Sequence, residues 1–122
     1  MFIEIDFNSD EAIYVQLRNQ IIVAIATSQL KEGESLPSVR SMADDIGVNM
    51  HTVNKAYSSL RQDGFLKVDR RRGAIVSVDI DKINYLNKVR CALKPVVASC
   101  IAKGISREEA RDLIGQLYDE LE

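Results

Sequence analysis

The feature that most constrains the fold is a pair of short helical patterns joined by a tight glycine turn. Ser38 can cap a helix of about nine residues that ends at Gly47. A third helical pattern of the chain starts within a few residues. The apolar stripes of these two helices are formed by Val39, Met42, Ala43 and Ile46 and by Val53, Ala56, Tyr57 and Leu60. Because the outer face of the later helix is polar, the spacing matches a helix-turn-helix.

A β-hairpin pattern follows this motif directly. The stretch QDGFLKV ends the helix at Gly64 and starts a strand, and GAIVSV is its partner. Arg70, Arg71 and Arg72 therefore fall at the hairpin tip. A hairpin in this place is the wing of a winged helix, where cations can reach a phosphate backbone or a minor groove. Taken alone, the three arginines also fit a solvated charged turn that binds nothing.

Charge is concentrated in this middle part of the chain. Residues 36–78 carry seven cations and four acids, although the whole chain has a net charge of -2. The overall acidity argues against a nucleic-acid partner, but binding depends on the local patch that meets the phosphates. The middle segment is therefore the part predicted to contact double-stranded DNA.

An amphipathic pattern precedes the motif and predicts a first helix with one wide buried face. Ser9 or Asp10 can cap it, and KEGESLPS is predicted to be a loop that breaks it. The apolar positions are Ile13, Tyr14, Leu17, Ile21, Ile22, Ala24, Ile25 and Leu30.

From Asp79 onward the pattern changes to two amphipathic helices. The first has a heptad seam, Gly104 ends it, and Pro95 predicts a kink or a helix restart. The second opens with a capping box from Ser106 to Glu109. The seam and stripe residues expected at a subunit interface are Leu86, Val89, Leu93, Val96, Val97 and Cys100, with Leu113, Ile114, Leu117 and Leu121.

These two faces have no third element of their own to cover them. Packing on the first helix of the same subunit is one alternative for part of the surface. Exposing both faces on a monomer would leave a larger apolar patch than soluble proteins usually show, so a homodimer interface is favoured. A tail of 44 residues leaves no obvious enclosed pocket for a small-molecule effector, which would have to sit between subunits.

Other functional classes find little support in the sequence. The chain has one histidine, His51, and its acid pairs fall at helical surface positions, so neither catalysis nor metal ligation nor a cofactor is expected. Cys91 and Cys100 fall on opposite faces of one predicted helix and are interpreted as buried, unpaired thiols. No apolar run is long enough to span a membrane, and the cytoplasm is the expected compartment.

The segment from Ile13 to Val78 closely resembles the DNA-binding domain of GntR-family bacterial transcription regulators. The resemblance is carried by IYVQL, LPSVRSMADDIGV, TVNKAYSSLRQDGFL and RRRGAIV, and the short two-helix tail is similar to the YtrA-like subfamily. It implies a mainly α fold with a small β-hairpin: a winged helix-turn-helix domain over 1–78 and a dimerisation tail over 79–122. The implied function is a homodimeric repressor that binds a palindromic operator. A winged-helix adaptor that binds protein instead of DNA is the alternative.

The resemblance also implies roles for single residues. Arg40 matches an arginine that contacts DNA from the start of the second helix. The reading edge of the third helix matches Asn49, Met50, His51, Thr52 and Asn54, and the wing matches Arg70, Arg71, Arg72 and Gly73. Ser38 and Thr52 are expected to bind phosphates, and Lys55 is expected to neutralise them. Family members often have Pro and Asn at Met50 and His51, and Gly at Arg71.

Overall fold

The structure is a computed structural model that describes residues 2–122. The elements in chain order are helices α1 (Ile13–Ala26), α2 (Val39–Ile46) and α3 (Met50–Gln62), strands β1 (Leu66–Asp69) and β2 (Gly73–Val76), and helices α4 (Lys82–Ala102) and α5 (Arg107–Leu121). This order confirms the predicted mainly α fold with a small β-hairpin. The chain divides into two compact units, one ending at Asp79 and the other spanning Ile80–Glu122.

The first unit has its own hydrophobic core, built from the apolar stripes of α1, α2 and α3 and closed by the two strands. Leu17, Ile21, Val53 and Leu60 are all 0% exposed. The rest of the buried set comprises Ala24, Leu30, Leu36, Met42, Ala43, Ala56, Tyr57, Leu66, Ile75 and Val76. The periodicity thus predicted the inner faces of α2 and α3 correctly, because i, i+3, i+4, i+7 spacing places side chains on one face.

The start of α1 differs from the prediction. Neither Ser9 nor Asp10 caps it, because the N-cap is Ala12, which makes no side-chain capping bond. The Ser9 Oγ instead accepts a hydrogen bond of 3.0 Å from the Glu11 backbone N–H. At the other end α1 stops at Ala26, so Leu30 is buried from a turn beyond the helix rather than from its face.

Helix α2 has the predicted caps at both of its ends. The Ser38 Oγ accepts a 3.0 Å bond from the Ser41 N–H at the start of α2. Gly47 ends α2 with φ of 72°, a left-handed conformation that glycine adopts without a Cβ penalty. The tight turn to Met50 is therefore fixed by local sequence on both sides.

The predicted loop 31–38 contains a short extended segment that joins the hairpin. Strands β1 and β2 are antiparallel, with Leu66 opposite Val76 and Asp69 opposite Gly73. Ser35 forms an isolated antiparallel bridge with Ile75. Backbone bonds of 2.8 Å from Leu36 N–H to the Ala74 carbonyl and from Val76 N–H to the Glu34 carbonyl flank it. The wing is thus anchored by a third segment between α1 and α2.

The second unit consists of α4 and α5. Helix α4 runs through Pro95 without a restart, so of the two expected outcomes only a kink remains as a prediction. The capping box of α5 is confirmed, since the Ser106 Oγ accepts from Glu109 N–H and the Glu109 carboxylate accepts from Ser106 N–H, both at 3.1 Å. Neither helix contains a buried residue. Both cysteines are free thiols, but Cys91 is exposed and Cys100 half-buried, so the expected burial is wrong.

No helix among residues 2–122 combines the length and the apolar character needed to cross a membrane. Over the same range, no three His, Cys, Asp or Glu side chains come together as a group able to hold a metal ion.

Candidate nucleic-acid interface

The start of α2 carries the candidate residues Ser38 and Arg40. Ser38 is the N-cap, and Arg40 projects from the first turn with an exposed side chain. The buried Tyr57 of α3 donates its hydroxyl to the Pro37 carbonyl at 2.8 Å. Burial raises the pKa of Tyr57 well above its ordinary value, so the hydroxyl keeps the proton it donates. This bond connects the backbone just before α2, and so the start of the helix that carries Arg40, to α3.

The start of α3 is shaped by Asn49, whose side chain is the helix cap. Its Oδ1 accepts hydrogen bonds from the Thr52 backbone N–H at 2.9 Å and from the Thr52 hydroxyl at 3.1 Å. These two candidates therefore bind each other, and capping of this kind satisfies donors that the helix leaves open. The side chains that project beyond them are those of Met50, His51 and Asn54, all exposed.

The middle of α3 is held against α1 by polar contacts. The Lys55 Nζ lies 4.1 Å from the centre of the Tyr14 ring, within the range of a cation–π interaction. One turn further on, Arg18 donates to the Ser59 Oγ at 2.9 Å and pairs with the Asp63 carboxylate at 2.6 Å. Lys55 is exposed, yet its ammonium group already has an aromatic partner within the same unit.

The wing tip is organised by Asp69, a residue that the sequence analysis did not single out. Its Oδ1 accepts from the backbone N–H groups of Arg71 at 2.8 Å and Arg72 at 3.0 Å. These two bonds hold the pKa of the Asp69 carboxyl below its usual value. An Asp that opens a turn often bonds the backbone two residues on, so the spacing DRRRG carried this signal.

The three arginines of the tip have different surroundings. The Arg72 guanidinium donates to the Gly33 carbonyl at 3.1 Å and lies 3.9 Å from the Asp69 carboxylate, so it is directed back toward the domain. Arg70 and Arg71 are exposed. Gly73, with φ of 73°, takes the left-handed position of the turn. Among residues 2–122, Ser28 is the only non-glycine residue with positive φ, so Arg71 does not need the glycine that the family often has there.

All twelve candidates for DNA contact belong to the first unit, at the start of α2, over the first half of α3 and its cap, and at the wing tip. Eleven of them are exposed, and Thr52 is half-buried. The second unit leaves its interface candidates largely in contact with solvent. The exposed fractions are 63% for Leu86, 38% for Val89, 40% for Leu93, 54% for Val96, 50% for Val97, 56% for Leu113, 46% for Ile114, 44% for Leu117 and 38% for Leu121, while Cys100 is half-buried.

Comparison with known proteins agrees with this architecture. The family model for bacterial regulatory proteins of the gntR family matches residues 11–76, which contain α1, the helix-turn-helix and the wing. The HTH-type transcriptional repressor YtrA of Bacillus subtilis (strain 168) is 29% identical over 118 residues, covering 94% of this chain and 91% of that protein.

Two solved structures extend the similarity over both units. A transcriptional antiterminator from Listeria monocytogenes EGD-e has a TM-score of 0.86 and 29% identity, covering 99% of this chain and 92% of that one. YtrA from Sulfolobus acidocaldarius, a GntR-family transcription factor, has a TM-score of 0.63 and 37% identity, covering 98% of both chains.

These relatives are named as transcription regulators, which supports a DNA-binding regulator rather than a protein-binding adaptor. The match also includes the helices after the wing, which places the chain with the YtrA-like members. The chain therefore belongs to the GntR family of bacterial transcription regulators, and it is a YtrA-like, DNA-binding winged helix-turn-helix regulator.

Proposed function

We propose that this chain is a homodimeric repressor that binds a palindromic operator, with a DNA-binding domain over 1–78 and a dimerisation tail over 79–122. The observation that carries the proposal is the exposure of the apolar stripes on α4 and α5, in a chain whose first unit completes its own core. A repressor of this kind works where the chromosome is, in the cytoplasm. The Bacillus subtilis relative is named a transcriptional repressor, which supports repression rather than activation.

Base contacts are assigned to the exposed side chains at the two helix starts. Arg40 has the geometry for a bidentate contact to guanine, and Asn54 for one to adenine. Met50, at 44% exposure, can pack on a thymine methyl group, and His51 can hydrogen-bond to a base edge from the first turn of α3. Each good base contact contributes about 1–3 kcal/mol of discrimination.

The remaining candidates are assigned to the phosphate backbone or to its support. Arg70 and Arg71 are exposed at the wing tip and are expected phosphate contacts, and Lys55 on α3 is a further one. Ser38 and Thr52 carry hydroxyls at helix starts, where N–H groups favour phosphate, and the Thr52 hydroxyl would exchange its bond to the Asn49 Oδ1 for one to a phosphate. Asn49, Arg72 and Gly73 support the site in this proposal: Asn49 caps α3, while Arg72 and Gly73 hold the wing tip.

The tail supports dimerisation through the hydrophobic effect. Burial of apolar surface contributes about 25 cal/mol per Å², and the stripes of α4 and α5 run along nearly the whole of both helices. A symmetric dimer would place the same patch of each subunit against the other, and two reading heads would then meet the two halves of a palindrome. Joining the heads makes the second contact effectively intramolecular.

The proposal is tested by comparing the intact chain with a truncation that ends after Asp79. Asp79 is retained because its N–H bonds to the Gly64 carbonyl at 2.7 Å. Operators are first selected from random duplex DNA with the intact protein. We expect the intact chain to sediment as a dimer and to bind the full site about 10²- to 10⁴-fold more tightly than the truncation does.

The truncation should remain folded, sediment as a monomer, and bind a half-site about as tightly as a full site. An intact chain that sediments as a monomer at micromolar concentration and gains nothing from the second half-site would rule out the dimer. Selection that returns no DNA sequence would rule out operator binding.

A further inference from the structure

The two helices of the tail differ in charge: α4 is cationic, whereas α5 begins with Arg107 and Arg111 among acids and is anionic over its later part. Residues 82–102 include Lys82, Lys88, Arg90 and Lys94 and no acidic residue. Residues 112–122 include Asp112, Asp119, Glu120 and Glu122 and no cation. A surface that is cationic over α4 and anionic over the later part of α5 is complementary to itself when two copies meet about a two-fold axis.

The cations of α4 border an apolar groove. Leu86, Val89, Leu93 and Val97 line this groove together with Arg90 and Lys94. With about 100° per residue, Arg90 lies about 40° round the helix from Leu86, and Lys94 lies about 60° from Val97. The four apolar side chains of the groove are 38–63% exposed. Helix α5 of the same chain therefore does not cover the groove.

The acidic end of α5 has the matching arrangement. Leu113, Leu117 and Leu121 form its apolar stripe, with 56%, 44% and 38% exposure. Glu120 is about 20° round the helix from Leu113, so it borders that stripe. Asp119 lies about 160° round the helix from Leu117, on the opposite face. A helix with an apolar face and one carboxylate at its border fits a groove with an apolar floor and two cations at its rim.

We infer that α5 of a second copy lies in the α4 groove, with Glu120 of the partner subunit between Arg90 and Lys94. This deepens and rests on the proposed homodimer: it names the pairing within the interface. The symmetry of a dimer makes the pairing occur twice, since the α5 helix of each subunit fills the groove of the other. The apolar floor disfavours DNA phosphates as the occupant, because they would lose their hydration there.

Charge reversal on full-length protein tests the pairing. The variants are R90E/K94E on α4 and E120K on α5, with D119K as the matched control, because it makes the same charge change one residue away on the opposite face. Each reversal places like charges together at both sites of a homodimer. We expect R90E/K94E and E120K each to weaken self-association by about ten-fold or more, with D119K close to wild type.

Mixing the two reversal variants gives the sharpest result. In a mixed dimer one site pairs the reversed groove with the reversed helix, and the other site is wild type, so both are attractive. We expect the mixture to form heterodimers in large excess over the statistical half, measured by native mass spectrometry with one variant isotopically labelled. Circular dichroism reports whether each variant keeps its helices, and R90Q/K94Q supplies a neutral pair if the reversal unfolds.

The outcomes separate the two levels of the proposal. Homodimers of both variants with wild-type affinity and statistical mixing would overturn the pairing while leaving the homodimer intact. E120K and D119K with equal losses would also overturn it, because the effect would then depend on net charge alone. A wild-type chain that is monomeric overturns the homodimer itself, and the pairing with it.

Discussion

Leu17, Ile21, Val53 and Leu60 in the first unit are 0% exposed, whereas Leu86 and Leu113 in the second are 63% and 56% exposed. Both units are helical and both follow strong apolar periodicity, so periodicity does not separate them. The first unit closes its core with a third helix and a hairpin. The second has two helices and no element to close them. An amphipathic stripe therefore predicts a buried face, but the partner that buries it depends on how many elements the unit contains.

The largest effect expected from this difference concerns core truncation. Leu60→Ala removes a side chain with no exposure, so the first unit should lose about 2–5 kcal/mol of its free energy of unfolding. Leu93→Ala removes a side chain that is 40% exposed in the single chain. It should leave the unfolding of the first unit unchanged and weaken self-association by about ten-fold, since the proposed dimer would bury this side chain.

Chemical denaturation of each full-length variant, followed by far-ultraviolet circular dichroism, measures the free energy of unfolding. Sedimentation over a dilution series measures self-association. Leu93→Ala with a loss of several kcal/mol and no change in self-association would contradict the comparison, because the tail would then be a core element of the monomer.

Sequence reasoning succeeded where the determinants are local. Ser38, Gly47 and the capping box at Ser106 are short-range signals, and each produced the expected boundary. It failed where the conformation of a segment depends on a partner that is distant in sequence. The segment around Ser35 is extended because Ile75, far along the chain, pairs with it. The start of α1 is an exception, because a local contact decides it: the Ser9 Oγ accepts from the Glu11 N–H instead of capping the helix.

The candidate site shows the same division. Residue types and spacing found the helix starts and the wing tip, because those depend on caps and turn residues. They could not show that Arg72 is directed to the Gly33 carbonyl, or that the Lys55 ammonium lies over the Tyr14 ring. Both contacts join segments that are separated in sequence and meet only after the domain folds.

The next effect in size concerns salt dependence, which the first unit should carry alone. Arg70→Ala with Arg71→Ala removes up to about four phosphate contacts per proposed dimer, so the magnitude of the slope of log affinity against log salt should fall by up to about 3.6. Arg72→Ala should change it less, because the Arg72 guanidinium donates to Gly33. Lys103→Ala, the matched change of one cation in the tail, should leave the slope unaltered.

Titration of a selected operator at several salt concentrations gives these slopes. An unchanged slope for the double variant, with the fold intact, would identify the tip as a solvated turn. A lower slope for Lys103→Ala would extend the DNA contact to the tail and remove the distinction between the units.

The smallest effect concerns pH, and it compares one carboxylate in each unit. Backbone N–H groups of Arg71 and Arg72 lower the pKa of Asp69 in the wing, and the Ser106 backbone and hydroxyl groups lower that of Glu109 in the capping box. A carboxyl with a lowered folded pKa stabilises the fold above its unfolded pKa, and the contribution is lost as pH falls through the folded value. Acid should therefore loosen the wing tip and the start of α5, each locally.

Asp69→Asn and Glu109→Gln separate the two responses, because each removes one titration while keeping a side-chain acceptor. NMR chemical shifts of the Arg71 and Arg72 amides should titrate below the ordinary Asp pKa in wild type and be flat in Asp69→Asn, while the Ser106 amide should respond only to Glu109. The first unit should keep its core through this range, since neither carboxyl touches it. If Asp69→Asn also flattened the Ser106 response, the two units would be coupled, and the independence on which the comparison rests would fail.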